Sequence, residues 1–158
     1  GSLYTSVLPN LLVEGTSHAL RFAPAEKVYV CNVATQPGET DGYKVIDHVR
    51  VLKQHTHGIG IDRVLINSNL APAETRIKPE WHVSAVEFDG LHEFEGQIAV
   101  DQRDIVNPEF PLRHDPEKLA QALMAIGREH LTDVAQRPSA VERGRAITES
   151  ERIEAGVA

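Results

Sequence analysis

Residues 27–42 read KVYVCNVATQPGETDG, and the order of this stretch decides the fold class. Lys27 to Val33 is a β-branched run suited to a buried strand. A polar loop, Ala34 to Gly42, follows it. Tyr43 to Thr56 then places Val45, Ile46, Val49 and Leu52 on one face, the pattern of an amphipathic helix. A second buried strand, Asp62 to Asn67 (DRVLIN), comes next. Strands separated by helices of this length predict an α/β fold, with a parallel sheet covered by helices on both faces in three layers.

Upstream, Tyr4 to Val13 reads as a helix despite Pro9, and Thr16 to Phe22 as a second short one. Downstream, Val83 to Phe88 and Gln97 to Val100 read as shorter strands. Pro116 to His130 is the last helix, with Leu119, Leu123 and Ile126 expected inside. Its start is marked by Asp115 at the N-cap, Pro116 at the first helical position and Glu117 in the first turn. A composition break falls near Thr132. Beyond it, large apolar residues are sparse, Val134, Val141, Ile147 and Val157 among them, so residues 1–131 are expected to form the body and 132–158 a disordered tail.

The chain has 158 residues and a formal net charge of −7, which argues against a broad nucleic-acid or anionic-membrane surface. A small anionic ligand needs only one or two local cations, so it stays compatible with that charge. The lone cysteine, Cys31, excludes an intrachain disulfide and reads as an inert core residue. No apolar run approaches the roughly 20 residues of a membrane helix. The expected setting is the cytoplasm.

In parallel sheets ligands sit beyond the carboxyl ends of the strands. The opening GSLYTS, the Ala34 to Gly42 loop, and Asn67 with Ser68 should therefore converge, with the LRHD segment before the last helix as a fourth member. Thr35, Gln36 and Thr40 offer neutral donors and acceptors, and Gly38 permits close backbone approach. Glu39 and Asp41 disfavour a bare phosphate, and Thr40 or Asp41 also suits plain helix capping. Arg113 is either a surface residue or a planar fork for phosphate or carboxylate. The histidines are scattered without HExxH spacing, and there is no GxxxxGK[ST] loop and no GxSxG elbow. No catalytic residue and no metal ligand is assigned.

GSLYTSVLPNLLV, KVYVCNVATQPGETDGY and RHDPEKLA, in this order, resemble the gluconeogenesis factor family of bacterial cytoplasmic proteins, related to 2-phospho-L-lactate transferase. The resemblance runs from Gly1 to about Leu131, is specific at TQPGETDG and loose between Leu70 and Pro111. It implies a Rossmann-like fold that binds a uridine-diphosphate sugar, typically UDP-N-acetylglucosamine, as ligand. It also implies a regulatory role in gluconeogenic growth, cell-wall precursor metabolism and cell shape. The ligand set it points to is Gly1, Ser2, Leu3, Thr5, Thr35, Gln36, Gly38, Glu39, Thr40, Asp41, Asn67 and Arg113. Family members carry a glycine-rich turn and a DDGGSSG-like segment in an N-terminal half. Neither motif occurs here, so the chain is expected to be the C-terminal part of the fold. Where the family tends to have an aromatic followed by EGAxPV, this chain has Trp81 to Val86, which puts base stacking there in doubt. The expected partners are the nucleotide-sugar and a second copy of the chain. The rival expectation is a metal-dependent transferase of a phospholactyl-type group from a nucleotide donor.

Overall fold

In the computed structural model, residues 1–56 and 59–136 are described. The chain divides into two compact units, Gly1–Ala122 and Leu123–Ala158. The first contains a three-stranded parallel sheet in the order β1-β2-β3, built from β1 (Val28–Val30), β2 (Arg63–Asn67) and β3 (Ala99–Arg103). Tyr29 is in register with Val64, and Val64 with Val100. The α/β class expected from the sequence is what the chain adopts.

β2 is central and apolar because both of its faces are covered. Val64, Leu65 and Ile66 are all buried, and successive strand side chains point to opposite faces. On the Val64 and Ile66 face, α3 (Val45–His55) packs Val45, Ile46, Val49 and Leu52, the four residues its periodicity selects. Leu3 and Leu8 join the same cluster from the opening segment. That segment is a π-helical stretch, Leu3–Val7, running into α1 (Leu8–Leu11), and α2 (Glu14–Phe22) follows. Pro9 stands in the first turn of α1, directly after the widened π-helical turn.

Three expectations about strands are corrected. The first strand is shorter than Lys27 to Val33, although Cys31 N–H still donates to the Leu65 carbonyl at 3.0 Å. Val83 to Phe88 is not a strand. It meets the chain just past β1 through an antiparallel bridge between Ala34 and Ala85, where the loop already turns away. The connection from β2 to β3 instead holds a short helix, α4 (Ala71–Arg76), and two 3₁₀ turns, Pro79–Trp81 and His92–Phe94. β3 lies two residues later than Gln97 and includes polar positions. As an edge strand it tolerates them, and the buried Asp101 carboxylate is held by Arg103 at 2.6 Å and Arg63 at 3.6 Å.

The last helix, α5 (Pro116–Gln136), starts as expected: the Asp115 carboxylate accepts from the Glu117 and Lys118 N–H groups, each at 3.0 Å. Leu123, expected inside, is 39% exposed, and Ala122 is buried in its place. Successive residues on a helix stand about 100° apart, so the face that buries Ala122 turns Leu123 outward. The helix also runs past Thr132. The rest of the expected tail, residues 137–158, lies outside the described residues.

Candidate functional site

A cleft of about 450 Å³ opens beyond the carboxyl end of β1, where a parallel sheet is expected to take its ligand. Its floor is Val30, Asn32 and Val33 as the chain leaves the strand. Gly1 and Ser2 form one wall, Gln36 a second, and Arg113 with His114 a third, with Leu119 of α5 behind them. Three of the four segments expected to converge therefore meet in one place: the opening, the polar loop and LRHD.

Each wall has a local cause. Gly1 runs so close to the next turn that a Cβ built there would lie 2.5 Å from the Ser6 Cβ, which only glycine avoids. The Ser2 oxygen caps the π-helical stretch by accepting the Thr5 N–H at 3.3 Å, and its hydroxyl also donates to the Glu39 carboxylate. The polar loop is closed on itself. Thr40 Oγ1 accepts the Gln36 N–H at 2.9 Å, and the Asp41 carboxylate accepts the Gly38 N–H at 2.7 Å. Gly38 holds φ +78°, a left-handed turn that disfavours a side chain. Thr35 is buried and exchanges hydrogen bonds with Ser84, including the Ser84 N–H at 2.9 Å to its hydroxyl.

The third wall is set by pairing between two segments. Asn107 N–H donates to the Arg113 carbonyl at 3.0 Å, and Asp115 N–H to the Ile105 carbonyl at 2.8 Å. This pairing, together with the α5 cap, fixes the backbone under Arg113. Its side chain is exposed, and among the described residues no carboxylate pairs with its guanidinium. His114 turns inward, with Nε2 3.0 Å from the Cys31 carbonyl, and burial pushes its pKa down from the ordinary histidine value. Burial likewise pushes the Cys31 thiol up to about 12, so Cys31 stays a neutral core residue.

Of the residues singled out from sequence, Gly1, Ser2, Gln36 and Arg113 line the cleft. Leu3 is wholly buried, and Thr5 stands at the first turn of the opening segment. Thr35, Gly38, Glu39, Thr40 and Asp41 shape the loop behind Gln36 through the contacts above. Asn67 lies elsewhere. Its amide donates to the Asn69 carbonyl at 2.7 Å and its oxygen accepts the Ile105 N–H at 3.2 Å, so it braces two loops. Asn32 and His114 are cleft residues that the sequence reading did not select. The signal for each was its place, at the end of a predicted strand and between Arg113 and a predicted cap. Among the described residues, no group of three His, Cys, Asp or Glu side chains is placed to hold a metal ion, and no helix is long and apolar enough to cross a membrane.

Residues 1–110 match the family model described as 2-phospho-L-lactate transferase CofD. The chain is 42% identical over 137 residues to the gluconeogenesis factor of Bacillus subtilis, covering 82% of this chain and 41% of that protein. It is 38% identical over 135 residues to a Thermotoga maritima protein described as "Putative gluconeogenesis factor", covering 81% of this chain and 42% of that protein. A crystal structure of a UPF0052 family member from Bacillus halodurans superposes with a TM-score of 0.67 at 36% identity, covering 78% of this chain and 40% of that one. The chain thus spans about two fifths of the length of the curated relatives it matches.

Proposed function

This chain belongs to the 2-phospho-L-lactate transferase CofD family, and on that footing we propose that its cleft takes a nucleotide-sugar, UDP-N-acetylglucosamine, in a cytoplasmic regulatory protein of gluconeogenic growth. The likeness to gluconeogenesis factors supports the physiological side of this reading. The roles in cell-wall precursor metabolism and cell shape come from the sequence resemblance alone. A single observation carries the chemical side. Arg113, without a carboxylate partner among the described residues, stands on a backbone fixed by the α5 cap and shares a cleft with Ser2, Asn32 and Gln36. A guanidinium there can make two parallel charge-assisted hydrogen bonds to a diphosphate, while the neutral groups suit ring hydroxyls and amides.

The test uses this chain and a chimera in which it replaces the matching segment of the Bacillus subtilis relative. Titration calorimetry should show UDP-N-acetylglucosamine binding, and Arg113→Ala should weaken it by about tenfold or more, since a hydrogen bond to a charged group contributes roughly 1.5–3 kcal/mol. Arg113→Lys should recover part of the loss, because a point charge cannot replace the fork. Absence of binding in both proteins sinks the reading, and equal affinities for wild type and Arg113→Ala remove Arg113 from the site.

The family's description favours a second reading, group transfer from a nucleotide donor assisted by a metal. Of the loop carboxylates that could serve it, Glu39 is taken up by Ser2 and Asp41 by the Gly38 N–H. Consumption of the nucleotide during incubation with the chimera would favour transfer over regulation.

A further inference from the structure

Among the described residues, no main-chain hydrogen bond joins the Gly1–Ser2 wall to the Gln36 wall. Gly1 and Ser2 belong to the opening segment, and Gln36 to the loop, 34 positions from Ser2. Among the described residues two side-chain hydrogen bonds cross between the opening segment and the stretch from Gln36 to Tyr43, while the Asn32 amide, donating to the Gly1 carbonyl at 3.4 Å, ties the opening to the cleft floor. The Ser2 hydroxyl donates to the Glu39 carboxylate. Two residues further on, the Tyr4 and Tyr43 hydroxyls share a hydrogen bond at 2.8 Å, their rings edge to face with centroids 6.4 Å apart.

Both contacts lead by short bonded routes to the cleft. Tyr43 N–H donates to the Thr40 carbonyl at 3.0 Å, and Thr40 in turn binds the backbone of Gln36 through both its N–H and its hydroxyl. On the other side, the oxygen of Ser2 that reaches Glu39 also caps the opening helix. That helix begins as a π-helical stretch, with the Val7 N–H donating to the Ser2 carbonyl at 2.9 Å, a widened turn that is marginal without outside support. The hydrogen bond from Tyr43, ahead of burial, pushes the Tyr4 hydroxyl up to about 12, so it stays neutral across the physiological range.

We propose that Ser2–Glu39 and Tyr4–Tyr43 form a two-point clasp that sets the distance between the Gly1–Ser2 and Gln36 walls, making Tyr4, Tyr43 and Glu39 positioning residues rather than ligand contacts. The clasp rests on the nucleotide-sugar reading for its ligand, but its mechanics can be measured without one. Glu39 thereby changes role, from the ligand group expected in sequence to the group that aims the ligand groups.

The experiment has two arms. In the first, amide hydrogen exchange is followed on the full chain without ligand. Tyr4→Phe should speed exchange at Gln36, Thr40 and Tyr43, across the contact from the altered residue, and Tyr43→Phe should speed it at Thr5 to Val7. In the second, UDP-N-acetylglucosamine affinity is measured in the chimera. Tyr4→Phe, Tyr43→Phe and Glu39→Ala should each weaken binding about threefold to tenfold, the range of one net hydrogen bond. Tyr4→Phe/Tyr43→Phe should be no worse than either single change, because both remove the same bond. Glu39→Gln, which still accepts from Ser2, should restore most of the affinity lost in Glu39→Ala. Arg113→Ala should weaken binding while leaving the exchange pattern alone. If Tyr4→Phe leaves exchange at Gln36, Thr40 and Tyr43 unchanged, there is no clasp. If exchange responds but affinity in a binding-competent wild type does not, the clasp does not set the site. A wild type that fails to bind counts against the nucleotide-sugar reading, and the exchange arm then decides the clasp alone.

Discussion

His48 lies wholly inside the core of α3, with Nδ1 3.0 Å from the Lys44 carbonyl and Nε2 buried without a partner. Nδ1 can donate there only if it carries the proton, which leaves Nε2 a bare acceptor beside the edge-on Tyr43 ring. Burial pushes its pKa below the ordinary value, and His114 is pushed the same way. A depressed folded pKa means the unfolded chain binds protons more readily. Stability should therefore be fully present above the unfolded value near 6.5 and fall as pH drops below it. Each such histidine steepens the fall by at most about 1.4 kcal/mol per pH unit. Thermal melts from pH 7.5 to 5 should show the loss, and His48→Gln should flatten it; an unchanged slope would clear His48. Thr40 is a second case at this scale. Thr40→Val keeps the shape but strands the Gln36 N–H, so it should cost about 1–3 kcal/mol in chemical denaturation. In the sequence, Thr35 and Thr40 both offered ligand groups, and Thr40 suited a plain helix cap equally well. Only burial, with both at most 4% exposed, separates the braces from the lining.

Among the elements, α3 and the start of α5 were the most legible. α3 carries its instructions in a period: four apolar positions that face one way whatever surrounds them. α5 carries them in a cap, where one carboxylate satisfies two N–H groups that no helix can satisfy for itself. Asp115→Ala should therefore cost about 1 kcal/mol, with Asp115→Asn close to wild type. Because the same turn carries Arg113, Asp115→Ala should also weaken nucleotide-sugar binding in the chimera more than its stability cost explains. Equal affinity would show that Arg113 is held by the Asn107 and Ile105 pairing alone. Val83 to Phe88 misled for a physical reason. Its composition suits an extended chain, but a strand exists only where a neighbour continues alongside, and here the neighbour is the Ala34 turn.

For the molecule as a whole, the informative surface is apolar. An apolar cavity of about 360 Å³ is lined by residues including Val7, Leu11, Leu20, Tyr29, Leu52 and Ile59. α2 has no buried residue, and Leu12, Val13 and Phe22 are each more than half exposed. Among the described residues β1 pairs on one side only, with β2. Exposed apolar groups and an unpaired strand edge each favour association. The chain should bind a hydrophobic dye strongly and self-associate as concentration rises. The chimera, which restores the rest of a relative's fold, should do neither. A chain that stays monomeric and ignores the dye would show that this surface is already closed.

The sequence by itself determined the α/β class, the central strand, α3, the α5 cap and the stretches that crowd the site. These depend on interactions reaching no more than a few residues along the chain: periodic burial, a cap, a β-branched run. The tertiary structure alone decided which polar residues face the cleft and which brace it. It turned Asn67 into a support between two loops, brought in Asn32 and His114, and tied Glu39 to Ser2 and Tyr4 to Tyr43. Apart from the short Asn67–Asn69 bond, those contacts join residues 37 to 83 positions apart. Their geometry is set by how the sheet and helices pack, and no local pattern of residues encodes it.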